Sequence, residues 1–230
     1  MVTMLNAHFL TVFIIVGSIM VTPLYALATY VFSGASPKKG MQIGTVFLIW
    51  GAFMFWICLN DVPRRIGLAG NLIVPISWLV PSLILIWQRA RFLSHKLSQH
   101  WLIGLQLFRV IGGTFLIEMR LGHIPGIFAY PAGLGDILVG LVALVVILAY
   151  RTSDRIPKFG IFIVFGLGVA DFISALFFGI TSSEGPLQVF HPAITNNLIL
   201  FPTGMIPLFL VPYAIFFHTL SMLNYFKFER

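Results

Sequence analysis

"FAYPAGLGDILVGLVALVVILAY" (Phe128–Tyr150) runs for 23 residues with one charge, Asp136. As a helix rising 1.5 Å per residue it covers the roughly 30 Å hydrocarbon core of a bilayer. The same pattern recurs on either side. Apolar runs between charged or Gly/Pro-rich breaks predict spans near 8–32, 41–60, 66–88, 100–120, 128–150, 158–180 and 195–221. The fold class expected is therefore all-α, a polytopic transmembrane bundle of about seven helices forming one domain over 1–230. Composition agrees: 59% of residues are hydrophobic, 9% are charged and the mean hydropathy is +0.99, outside the soluble globular range. No length remains for a soluble domain, and no linker, low-complexity tract or repeat is visible.

The net charge of +7 would suggest nucleic acid in a soluble chain. In a membrane chain it is read loop by loop, and no nucleic-acid partner is expected. With the N-terminus outside, the inner side receives Lys38, Lys39, Arg89, Arg91, Lys96, Arg151, Arg155, Lys158, Lys227 and Arg230, and the outer side only Arg64, Arg65 and Arg120. That bias predicts N-terminus out and C-terminus in. The competing topology, in which Leu121–Gly135 dips back as a re-entrant segment, would invert the later spans against this count. Ala26-Leu27-Ala28 has the A-x-A form of a signal-peptidase site, but the N-terminus carries no Lys or Arg and the apolar run continues past it, so a retained span is expected. Cys58 is the only cysteine, which excludes an intramolecular disulfide and a Cys-rich metal cage.

Four ionisable residues fall within expected spans: Arg109 and Glu118 in the fourth, Asp136 in the fifth and Asp171 in the sixth. Such residues are costly in hydrocarbon, usually face the bundle interior and mark functional sites. Asp136 lies fifteen residues from Arg151, and Asp171 thirteen from Lys158. Helical rise puts both about 20–22 Å above the inner boundary, so the two carboxylates share a level. Small residues surround them, Ala132, Gly133 and Gly140 beside Asp136, and Gly168, Ser174 and Ala175 beside Asp171, which places both on helix-contact faces. Phe159, Phe162 and Phe165 are expected to meet lipid. Arg109 is the cation within reach, with Gly112 and Gly113 leaving space for it. Glu118, nine residues further on, falls on the opposite helix face near the outer interface. Two carboxylates at one level repel unless a cation or a proton compensates. The cluster is thus either a staple between helices or a substrate- or proton-binding site.

The seventh run, "NNLILFPTGMIPLFLVPYAIFFH", carries Pro202, Pro207 and Pro212 at intervals of five. Each proline frees a backbone carbonyl one turn back, as in the discontinuous helices of transporters. Asn196 and Asn197 at its outer entrance are candidates to cap the helix or to line a cavity mouth. His8, His123 and His191 fall on the outer side near Glu118 and Glu184, and imidazole with carboxylate suits a transition metal. His123, His191 and Glu118 are the metal candidates, although no ligand-spacing motif supports them. All six histidines are expected near span ends, which disfavours haem. No lysine lies mid-span for a retinal Schiff base, no nucleophile or phosphate-loop motif is present, and Ser18, Ser77 and Ser174 have no histidine partner, so no catalytic residue and no cofactor are expected.

The segments "QLFRVIGGTFLIEMRLGHIPGIFAYPAGLGDILVG" (Gln106–Gly140), "GLGVADFISALFFG" and "PLFLVPYAIFFHTLS" resemble a family of uncharacterised bacterial integral membrane proteins carrying a PAGxGD segment. The resemblance implies an inner-membrane location and directs attention to Arg109, Asp136 and Asp171. It carries no activity. The "ADF" around Asp171 departs from the "LLD" expected there.

These readings predict a multi-pass protein of the bacterial inner membrane whose one obligate partner is the lipid bilayer. Its expected function is a small proton-coupled transporter or permease-like binder of a small polar or anionic molecule. The alternatives are a membrane-embedded enzyme on a lipid or isoprenoid substrate, and a structural or sensory subunit.

Overall fold

The structure, a computed structural model, describes residues 2–66 and 68–228. Arg230, counted above among the inner charges, lies outside them. Among the described residues there is no strand, and seven long helices follow one another: α1 (Val2–Phe32), α2 (Pro37–Leu59), α3 (Leu68–Trp87), α4 (Gln99–Arg120), α5 (Gly126–Ala149), α6 (Lys158–Thr181) and α7 (Ile206–Phe228). Six of these are long and apolar enough to cross a membrane; the exception is α3, whose apolar part is the shorter Leu72–Trp87. Apolar side chains such as Phe13, Leu24, Leu79, Val145 and Ile173 remain exposed on their outer faces. A soluble protein would bury such a surface, and a bilayer solvates it. The chain is a helical membrane protein.

The seventh helix differs most from expectation. It begins at Ile206, not near 195, and runs on to Phe228. Residues 195–204 are irregular backbone and turns, because prolines at 202 and 207 and Gly204 interrupt the helical ladder there. The shift has two effects: it carries α7 into the centre of the bundle, with 83% of its apolar window buried against 28% for α1 and for α6, and it moves His218 from a helix end to mid-helix. Leu121–Gly135 is not re-entrant. It is a short turn followed without a break by α5, in which Pro131 is accommodated.

Two helices depart from α geometry at functionally placed points. In α4 the stretch Leu105–Gly113 winds as a 3₁₀ helix and carries Arg109. Such runs rarely exceed 3–4 residues, so nine in mid-helix mark a constrained segment. In α7 the first five residues, Ile206–Leu210, form a π turn. Pro212 has no N–H, so the Leu208 carbonyl at i−4 and the Pro207 carbonyl at i−5 have no backbone donor from it. The Trp78 indole N–H of α3 donates to Pro207 O at 2.7 Å, and the Trp50 indole of α2 to Leu208 O at 3.3 Å. These freed carbonyls, expected to be open to a ligand, are held by indoles.

Polar contacts sort the connections onto two ends. At one end, Lys39 Nζ donates to Arg91 O at 2.8 Å, Lys227 Nζ to Leu93 O at 2.7 Å and His100 Nε2 to Tyr150 O at 3.0 Å, which gathers the α1–α2, α3–α4 and α5–α6 connections with the end of α7. At the other, His8 meets Glu118, and Asn197 N–H donates to His123 O at 3.4 Å. The start of α1 therefore shares an end with the α4–α5 and α6–α7 connections.

Candidate functional site

Arg109 is the hub of a buried polar cluster in the middle of the bundle. Its Nε donates to Asp136 Oδ1 of α5 at 2.7 Å, and its Nη2 donates to Asp171 Oδ2 of α6. Nη1 lies 3.4 Å from His218 Nε2 of α7. The guanidinium carbon stands 4.1 Å from the Phe172 ring centroid, within cation–π range. Exposure is 2% for Arg109, 7% for Asp136, 8% for Asp171 and 4% for His218, so these charges are withdrawn from bulk solvent. One side chain thereby ties α4 to three other helices.

Small residues make the approach possible. Gly112 presents bare backbone to the Asp136 carboxylate, Gly135 to the Asp171 carboxylate and Gly168 to His218 and Arg109 Nη1; a Cβ at any of them would overlap its neighbour. Gly112 and Gly168, expected from the sequence, thus lie where the charged side chains cross between helices, and Gly135, not singled out there, does the same for Asp171.

The guanidinium has only donors, so His218 Nε2 must accept from Nη1, which leaves the imidazole neutral with its proton on Nδ1. With both aspartates ionised the cluster then sums to one negative charge. Asp171 Oδ1 is buried and has no hydrogen-bond partner among the described residues. Both aspartates line a cavity of about 60 Å³, room for roughly four to six waters, that runs between α3, α6 and α7 past Trp78 and Phe172 to Ser183, Leu198 and Ile199 of the α6–α7 connection. The walls are apolar, so the carboxylates are its only charged groups.

The structure brings Arg109, Asp136 and Asp171 together, each on the inward face assigned to it. Glu118 faces away from them, as expected, and lies between His8 and His123 at the end of α4. Asn196 and Asn197 fall within the α6–α7 connection and do not cap α7. The Asn196 amide instead holds that connection folded, donating to Ser182 Oγ at 2.9 Å and accepting from Leu198 N–H at 3.1 Å. His191 is exposed and stands apart from the His8, Glu118 and His123 group. Phe165, expected to face lipid, turns inward and meets the His218 ring edge-on at 5.9 Å, while Phe159 is 73% exposed. His218 is the site residue that sequence reading missed, because a helix ended at 221 puts it near the boundary. The apolar continuation "HTLSMLNYF" before Lys227 was the available signal.

A larger cleft of about 700 Å³ opens between α2 and α3, with Phe216 of α7 in its wall and Lys38, Lys39 and Arg91 around one end. Its lining contains no carboxylate and no imidazole. It is therefore separate from the charged cluster and offers no acid–base pair.

Fold and site define a polytopic helical membrane protein with a buried Arg/Asp/Asp/His cluster at its core. Residues 67–225, more than half of its length, match the family described as Domain of unknown function (DUF8737), and the chain belongs to that family. No curated protein and no solved structure matches it. The matched region takes in α4 to α7 and so every member of the cluster, whereas α1 and α2 lie outside it.

Proposed function

We propose that this protein is a small proton-coupled transporter or permease-like binder of the bacterial inner membrane, with seven crossings, its N-terminus outside and its C-terminus inside. The observation that carries the reading is Asp171 Oδ1, a buried carboxylate oxygen without a hydrogen-bond partner among the described residues, at the wall of a cavity. A cluster with one uncompensated negative charge gains most from taking up a proton or a small cation. Arg109 already gives Nε and Nη2 to the two aspartates, so it has little left to offer an anion. The geometry therefore favours a proton or a cationic group of a small molecule over an anionic substrate. Protonation of Asp171 would release Nη2, and the 3₁₀ stretch that carries Arg109 and the π turn that opens α7 are where the bundle would yield. The orientation rests on the cationic residues gathered at the end that holds the α1–α2, α3–α4 and α5–α6 connections.

One observation favours the staple as a second reading: Arg109 bridges both aspartates at once, as a purely architectural hub would. The lipid-enzyme reading has less support, since the wide cleft between α2 and α3 lacks a carboxylate or an imidazole.

The test is proton movement in proteoliposomes that enclose a pH-sensitive dye and are challenged with gradients of inorganic cations and small amines. Wild type is expected to move protons with one of these, and Asp171→Asn to lose the flux while melting at a similar temperature. If no gradient moves protons in wild type and its melting temperature responds to none of the compounds, the transporter reading falls and the staple remains.

A further inference from the structure

A second polar cluster lies at the end of the bundle opposite the cationic connections, and the Arg109 site makes no use of it. Glu118, in the last turn of α4, is 1% exposed. Its Oε2 is 2.6 Å from Nδ1 of His123, and its Oε1 is 3.4 Å from Nδ1 of His8 in α1. The two imidazoles meet edge to face, with ring centroids 5.5 Å apart. One donor atom from each of the three residues lies within 4.8 Å of the other two.

Local backbone geometry creates the convergence. Gly122 has φ +80°, a conformation open to glycine at little cost, and the chain folds back so that His123 N–H donates to Glu118 O at 3.0 Å. This brings the His123 ring over a carboxylate five residues earlier, while α1 delivers His8 from the other side.

Hydrogen bonding leaves the group incomplete. Glu118 Oε1 and His8 Nδ1 are both buried, face each other and have no hydrogen-bond partner among the described residues. A separation of 3.4 Å is long for a charge-assisted hydrogen bond, which runs about 2.7–2.9 Å. It suits two ligands of one tetrahedral ion: bonds of about 2.0–2.1 Å to nitrogen and oxygen place neighbouring donors about 3.3–3.4 Å apart. Both histidine side chains are partly exposed, 40% for His8 and 47% for His123, so an ion can enter and retain water at a fourth position.

We propose that His8, Glu118 and His123 bind a divalent transition-metal ion of the zinc type. Two imidazoles and one carboxylate make a borderline donor set that prefers zinc, cobalt or copper to calcium or magnesium. The ion would satisfy the buried carboxylate and join α1 to the α4–α5 turn, independently of the Arg109 cluster.

The experiment uses the full chain in detergent, stripped with chelator and titrated with Co²⁺ for visible d–d absorption and with Zn²⁺ by calorimetry. One ion per chain is expected, with zinc raising the melting temperature. His123→Ala, whose side chain is half exposed, and the isosteric Glu118→Gln should each weaken binding at least about tenfold, and His191→Ala should bind as wild type does. If the wild type takes up neither ion, or if His8→Ala and His123→Ala both bind with wild-type affinity, the group is an ordinary set of histidine–carboxylate contacts and the proposal is wrong.

Discussion

Arg109 and Asp136, 27 residues apart in sequence, are joined by an Nε–H···Oδ1 bond of 2.7 Å between side chains that are 1% and 10% exposed. Removing one partner of such a pair leaves the other charge buried and alone, which costs about 3–5 kcal/mol. Arg109→Gln should lower the detergent-solubilised melting temperature sharply, because two carboxylates then face each other without a cation. Adding Asp136→Asn to it should recover much of the loss, since one of those charges is gone. Equal melting temperatures for wild type and Arg109→Gln would contradict the assigned geometry.

Gly112→Ala tests the crossing of α4 and α5 without altering any charge. The new methyl would overlap the Asp136 carboxylate, so the aspartate must swing off Arg109 or the helices must part. Overpacking of this kind costs about 1–3 kcal/mol. Gly166→Ala, where nothing lies within 4 Å of the added carbon, is the matched control and should melt like wild type.

The charged core was legible in sequence because hydrocarbon leaves so few charges to consider. Helical rise from Arg151 and Lys158 put Asp136 and Asp171 at one depth, and the flanking glycines showed which faces meet. His218 was not legible, since its depth depends on where α7 starts, and periodicity cannot locate a start among three prolines spaced by five. The 3₁₀ winding around Arg109 leaves no mark on an apolar run, and Pro207 and Pro212 mark an irregular start to α7 without specifying a π turn. The meeting of His8 with Glu118 was not legible either: only the packing of α1 decides which of the outer histidines arrives there.

The capped carbonyls of α7 give a rescue experiment. Trp78→Phe keeps the ring but removes the N–H that meets Pro207 O at 2.7 Å, leaving a buried carbonyl unpaired at a cost of about 1–3 kcal/mol. Pro212→Ala supplies a backbone N–H five residues beyond that carbonyl, the spacing of a π-type bond. The double variant should therefore be more stable than Trp78→Phe alone, as read by thermal melts. Additive losses would show that the indole bond and Pro212 are unrelated.

His218 should be neutral with its proton on Nδ1, because Nε2 faces an Arg109 nitrogen that can only donate. Nitrogen NMR of histidine-labelled protein at neutral pH distinguishes this tautomer from its alternative and from the imidazolium. The exposed His191, which belongs to neither cluster, serves as the internal reference signal. An imidazolium signature for His218 would mean that Arg109 Nη1 points elsewhere and that the cluster carries no uncompensated negative charge.

Orientation is tested by labelling single cysteines. Cys58 is fully buried and can be replaced by Ala to clear the background. Ser153, in the α5–α6 connection beside Arg151 and Arg155, and Glu184, in the α6–α7 connection, are both exposed and lie on opposite ends of the bundle. With the N-terminus outside, an impermeant maleimide added to intact cells should label Glu184→Cys and should reach Ser153→Cys only after permeabilisation. The reverse pattern would turn the cationic end outward, against the bias of Lys38, Lys39, Arg89 and Arg91. It would also make the cavity at Asp136 and Asp171 face the cytoplasm, so a proton-coupled carrier would load its buried carboxylates from inside.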